Sequence, residues 1–215
     1  MKFINGLRCS RPGWIWHRFR SEVRERKALE DWERGGRIGP PPSMYKRQVI
    51  LEIAKQNGIS VLVETGTYMG DTVQAVKDVM RAVYSIELDE KLSAQTMRRF
   101  ARDANVKILH GDSSKLLPSV IQEIEGPALF WLDGHYSGGC TAKGEMCTPI
   151  IQELKVIGLR STQDVILIDD ARLFTGRDDY PTLDEVRKLV DDIFPGSSYT
   201  VKHDTIKVLT KSKRA

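Results

Sequence analysis

Five short apolar segments of this 215-residue chain each run into a carboxylate. Glu64 closes the first, Glu87 follows the second, Asp112 the third, Asp133 the fourth, and Asp169 with Asp170 the fifth. Acidic groups in that pattern can hold sugar hydroxyls, bind a hard metal ion or move protons. The first is followed by Thr65-Gly66-Thr67-Tyr68-Met69-Gly70-Asp71, whose glycines allow a tight turn and close approach of a ligand to the backbone. The dinucleotide fingerprint G-x-G-x-x-G is absent, and Glu64 and Asp71 would repel a phosphate, so the turn suits a neutral or cationic ligand. Glu87 lies about twenty residues beyond the turn, where a carboxylate can hold both hydroxyls of a ribose. Asp112, beside Ser113, is placed to bond an adenine amino group. Singly, each has a plainer explanation: Asp112 as the N-cap of the next helix, Glu64 as a solvated turn residue. Five in register after a glycine turn go beyond capping.

Asp133, Asp169 and Asp170 are hard oxygen ligands at the ends of two segments, the donor type magnesium takes. The alternative is that Asp169 and Asp170 alternate faces, so that one points into the site and the other pairs with Arg172. His135, two residues past Asp133, is the general-base candidate, since imidazole titrates near neutral pH. Cys140 and Cys147 with His135 match no zinc spacing and lack a fourth ligand. Gly134, Gly138, Gly139 and Gly144 mark the stretch His135–Cys147 as a polar loop suited to cover the site. A second loop, with Arg172, Arg177, Asp178, Asp179 and Tyr180, has the mixed charge that suits a polyhydroxylated acceptor.

The elements that must position these residues alternate. Strands are expected at Val61–Glu64, Val83–Ile86, Val106–Leu109, Ala128–Leu132 and Val165–Ile168. Helices are expected at Tyr45–Gln56, Asp71–Met80, Lys91–Asp103, Ser114–Ile124 and Pro149–Ile157, the last with Thr148 as cap and Pro149 as first helical residue. Thr182 and Glu185 form a capping box for a helix to about Asp192. Tyr199–Lys202 and Ile206–Thr210 are separated only by His203-Asp204-Thr205, too short for a parallel crossover, so they pair antiparallel. In an open α/β sheet of this kind, ligands bind beyond the carboxyl ends of the strands.

Ahead of this domain, residues 1–37 carry ten Lys/Arg against five acids, leaving residues 38–215 a net charge of −1 within the chain's total of +4. The nearly neutral body argues against a nucleic-acid enzyme, and no nucleic-acid partner is expected. Gly35 to Pro42 breaks regular structure, dividing an arm and linker at 1–43 from a domain at 44–215. The arm sets Trp14, Trp16, Phe19 and Trp32 among arginines. Two readings fit: a flap on the domain, favoured because Pro12 and Gly13 interrupt a long amphipathic pattern, or a helix docking on a membrane surface or a partner. No apolar run is long enough to span a bilayer, and three cysteines make no disulfide framework, so a cytoplasmic setting is expected.

The segments E-T-G-T-Y-M-G-D-T, I-E-L-D, G-D-S-S, W-L-D-G-H and I-D-D, spread over residues 45–210, together resemble class I methyltransferases that use S-adenosylmethionine. Within that class the chain looks like bacterial metal-dependent O-methyltransferases of the catechol and macrocin type. Thr67 departs from the family pattern, standing at its second glycine. The resemblance implies a Rossmann-like three-layer sandwich with a seven-stranded, mostly parallel sheet in the order 3-2-1-4-5-7-6. It implies that Glu64, Thr65, Gly66, Thr67, Tyr68 and Gly70 surround the methionine part of the cofactor, with Glu64 near its amino end. Glu87 would hold the ribose, Asp112 and Ser113 flank the adenine, and Asp133 lie near the methyl group. Magnesium would sit at Asp133, Asp169 and Asp170, and the acceptor would be a small molecule or glycan precursor methylated on oxygen. Two other functions fit the residues: a metal-independent N- or O-methyltransferase with His135 as base, and a non-catalytic accessory protein that retains the cofactor pocket.

Overall fold

A computed structural model of the chain describes residues 11–134 and 148–213, with side chains from Glu22 onward. The chain divides into two compact units, residues 1–46 and 47–215.

The first unit is built on helix α1, Arg11–Arg34. Pro12 and Gly13 fall in its first turn, where a missing N–H leaves no helical bond unmade, so they start the helix instead of interrupting it. A Schellman motif ends it: Gly36, at φ 78°, donates to the Glu33 carbonyl, and Arg37 N–H donates to that of Trp32. The Trp32 indole packs 4.8 Å from the Tyr45 ring, and the Arg37 guanidinium lies 5.8 Å from each.

Helix α2, Ser43–Gln56, leads into the second unit. There the elements alternate as β1 (Val61–Thr65), α3 (Asp71–Val76), β2 (Ala82–Glu87), α4 (Glu90–Arg99), β3 (Val106–His110), α5 (Ser113–Gln122), β4 (Leu129–Leu132), α6 (Ile150–Ile157), β5 (Val165–Ile168), a 3-10 turn (Ala171–Leu173), α7 (Leu183–Ile193), β6 (Ser198–Lys202) and β7 (Thr205–Leu209). The sheet order is β3-β2-β1-β4-β5-β7-β6. The first five strands are parallel, whereas β7 runs antiparallel to both β5 and β6, as the short connection requires. Strand alternation splits the core into two layers. Val63, Phe130 and Ile168 pack with Leu117, Leu154 and Val190 of α5, α6 and α7 on one face. Leu62, Leu129 and Leu167 pack with Ile50, Val73 and Phe100 on the other.

Helix boundaries differ from expectation by up to four residues: α4 ends at Arg99 and not Asp103, and two other differences have a visible cause. Helix α3 stops at Val76, short of Met80, because the Asn105 side-chain amide takes the carbonyls of Lys77 and Met80 at 2.7 and 2.8 Å. Pro149 is the N-cap of α6 and not its first helical residue; Thr148 stands one position further out, its hydroxyl 3.4 Å from Ile150 N–H. The capping box of α7 is present, with Glu185 accepting from Thr182 N–H at 2.7 Å.

Candidate functional site

The carboxyl ends of β1, β2, β4 and β5 converge on one rim. Gly66 makes this possible: its φ is 98°, and a Cβ there would stand 2.6 Å from the Asp133 carbonyl oxygen. The turn after β1 therefore presses against the end of β4, and Asp133 N–H donates to the Thr65 carbonyl at 3.0 Å. Gly70 is equally confined, since a Cβ would lie 2.7 Å from the Phe100 ring. Between the glycines, Tyr68 adopts a left-handed conformation and is half exposed.

Glu87 is buried, yet its carboxylate is oriented from two sides. Tyr68 N–H donates to one oxygen at 2.7 Å and Asp89 N–H to the other at 2.9 Å. A carboxylate oxygen has a second lone pair, so both remain able to accept from a ligand. Glu64 is not a solvated turn residue: it is 1% exposed. Ser85 donates to it at 2.5 Å, and the Thr67 hydroxyl stands 2.6 Å from Ser85 Oγ. Burial pushes its pKa up to about 8; hydrogen bonds from Ser85 and Thr72 oppose this, and Asp133 and Glu87 add to it. At neutral pH this strand-end group is mostly a protonated acid.

Asp112 is the N-cap of α5, accepting from Ser114 N–H at 2.9 Å and from its hydroxyl at 2.7 Å. Both of these bonds fall on Oδ1, and Ser113 beside it is buried.

Asp133, Asp169 and Asp170 each present an oxygen within 4.8 Å of the others. The alternation that would have sent Asp169 and Asp170 to opposite faces does not apply. Asp170 has left-handed backbone dihedrals (φ 54°, ψ 48°), which turns its carboxylate back toward the cluster. Asp169 accepts the Asp170 N–H at 2.8 Å, fixing that turn. The pairing of Asp170 with Arg172 is present as well, at 2.7 Å. Three hard, negative oxygens this close fit magnesium, which takes oxygen ligands and keeps several waters.

A buried acid beside this rim escaped the sequence reading. Glu153, 1% exposed, lines a small cavity with Gly134, Thr148, Asp169, Phe174 and Tyr180. Burial raises its pKa to about 7, against hydrogen bonds from Ser113 and Thr65 and with Asp112 adding to the rise. The signal for it was positional: Glu153 shares a helical stripe with the buried Ile150, Leu154 and Ile157, where a charged residue is out of place. His135, Cys140 and Cys147 lie outside the described residues.

No protein-family model matches the chain, and no curated protein matches it in sequence. Solved structures do match in fold. The O-methyltransferase TomG from Streptomyces achromogenes, involved in tomaymycin synthesis and solved with S-adenosylmethionine, superposes with a TM-score of 0.57 at 16% identity, over 87% of this chain and 89% of that one. The Podospora anserina methyltransferase PaMTH1, bound to S-adenosylhomocysteine, gives 0.55 at 19% identity over 97% and 100%. An O-methyltransferase from Bacillus cereus, also with S-adenosylhomocysteine, gives 0.54 at 15% identity over 86% and 90%. At these identities the likeness is one of fold, shared by this chain and these three methyltransferases.

Proposed function

We propose that the chain is an S-adenosylmethionine-dependent methyltransferase that methylates a hydroxyl oxygen of a small molecule or glycan precursor with the help of magnesium. The observation that carries this reading is the placement, on one rim of a sheet ordered 3-2-1-4-5-7-6, of an oriented Glu87 and a three-aspartate cluster on either side of the Gly66 turn. The carboxylate of Glu87, oriented by the N–H groups of Tyr68 and Asp89, fits a nucleoside-bearing ligand lying across β1 and β2.

In this reading Glu87 accepts from the two ribose hydroxyls. The backbone of Gly66–Tyr68 follows the methionine part beneath which Glu64 lies, and Asp112 with Ser113 flanks the adenine. When bound, S-adenosylmethionine supplies a methyl group on a positively charged sulfur, which is left as a neutral thioether once the methyl carbon bonds to the acceptor oxygen. Asp133, Asp169 and Asp170 would hold magnesium, whose charge eases loss of the acceptor's proton. His135 is the side chain assigned to receive that proton. Holding the acceptor oxygen in line with the methyl carbon supplies most of the acceleration.

Calorimetry with S-adenosylhomocysteine tests the cofactor assignment; no binding at millimolar concentration would refute it. Turnover of a labelled methyl group over a panel of sugar and phenol acceptors, with and without chelator, tests the rest. Asp169→Ala should abolish the chelator-sensitive activity while leaving S-adenosylhomocysteine binding in place, and full turnover by this variant would remove the magnesium role.

A further inference from the structure

The aspartate cluster already touches a cation that belongs to the chain. Arg172, in the 3-10 turn after β5, donates from Nη1 to Asp170 Oδ1 at 2.7 Å and also to Asp204 Oδ2. The backbone around it is bound to the same residue: Arg172 N–H reaches Asp204 Oδ1 at 2.8 Å, and Ala171 N–H reaches the Asp204 carbonyl at 2.8 Å. Asp204 belongs to the tip of the β6–β7 hairpin, where both His203 and Asp204 are left-handed. One guanidinium therefore straps the hairpin tip to the end of β5. The side chains of Asp170 and Asp204 are 10% and 9% exposed, whereas that of Arg172 is 44% exposed. Of the three, the arginine is the partner with room to move.

We infer that Arg172 is a built-in counter-ion of this cluster that competes with a divalent cation for Asp170, and that Asp204 retains the arginine when the cation takes Asp170. The inference rests on the magnesium part of the proposed function. The three carboxylates present oxygens within 4.8 Å of one another, and Arg172 sets a positive charge against one of them, Asp170. A metal ion arriving at the same carboxylate meets like charge, so the arginine opposes its binding. Asp204 is what makes the exchange reversible. Its side chain is only 9% exposed, and a largely covered carboxylate is costly to leave without its cation, so the guanidinium stays on it after giving up Asp170. Occupancy of the metal site is thereby linked to the grip of the β6–β7 hairpin on the rim.

The test is the affinity of the full chain for Mn2+, read from the electron paramagnetic resonance signal of the free ion, in four proteins. Arg172→Gln should bind about tenfold more tightly than the wild type or better, the size expected for removing a neighbouring like charge. Arg172→Lys keeps the charge and should stay within about threefold of the wild type. Asp204→Asn keeps an acceptor for Arg172 N–H but leaves the guanidinium only Asp170, and should bind more weakly. Equal or weaker binding by Arg172→Gln, or tighter binding by Asp204→Asn, overturns the inference. Should Arg172→Gln fail to fold, the sign of the Asp204→Asn effect decides. If none of the proteins binds Mn2+, the inference falls together with the magnesium role, while S-adenosylhomocysteine calorimetry on the same preparations judges the methyltransferase reading by itself.

Discussion

Two backbone N–H groups fix the Glu87 carboxylate before any ligand arrives, so little ordering remains to oppose binding. On the proposed function, Glu87→Ala should weaken S-adenosylhomocysteine binding about ten- to a hundredfold by calorimetry, the loss expected for hydrogen bonds to a charged group. Unchanged affinity would take the ribose role away from it. Gly66 is a residue where sequence type and geometry agree fully. A methyl there meets the Asp133 carbonyl at 2.6 Å on a backbone already at φ 98°. Gly66→Ala should lower unfolding free energy by about 2–4 kcal/mol in urea titration. Other residues were legible by type but not by state. The sequence displays a glutamate at 64 and cannot display that Ser85, twenty-one positions away, closes over it. The left-handed turn at Asp170 was hidden for a similar reason: the hairpin tip that holds the following residues is brought there only by the fold.

Among the elements, the loop between β5 and α7 shows how the rim is held. It starts in the 3-10 turn Ala171–Leu173, is pinched by a bridge between Thr175 and Thr182, and packs Phe174 edge-on to Tyr180 at 5.5 Å. Thr182 is both the bridge residue and the cap of α7, and its bonds hold the Glu185 carboxyl below the usual range. Thr182→Ala should cost about 1 kcal/mol of stability, seen as a lower melting temperature, and should expose the loop to faster hydrogen exchange. No change in either would show the cap to be redundant. The three central strands β1, β4 and β5 were readable because a fully buried strand is a largely continuous apolar run with little else to become. The ends of α3 and α6 were not. Asn105 caps α3 from a remote segment, and proline is acceptable at either of two neighbouring positions, so spacing alone does not choose between them.

At the scale of the molecule, two acids among the described residues are buried with raised pKa values, Glu64 to about 8 and Glu153 to about 7. In the unfolded chain both ionise near 4.5, while in the folded chain they keep their protons to higher pH. At these two groups the folded state thus binds more protons between those limits, and their contribution to stability falls as pH rises from about 4.5 to about 8. Glu64→Gln and Glu153→Gln should each flatten that fall by an amount on the order of 3–5 kcal/mol, measured as melting temperature against pH. Variants whose melting temperature follows pH across this range just as the wild type's does would contradict the burial that causes both shifts. Spacing alone gave the antiparallel pairing of the last two strands, because three residues cannot make a parallel crossover, whereas the order of the sheet came from the family resemblance.

The hydroxyl relay from Thr67 through Ser85 to Glu64 has a calorimetric consequence. On the proposed function, a sulfonium bound near Glu64 would favour the ionised acid, so uptake of the methyl donor should expel a proton into solution, whereas the neutral thioether product should not. The heat of donor binding would then scale with the ionisation enthalpy of the buffer, and that of product binding would stay constant.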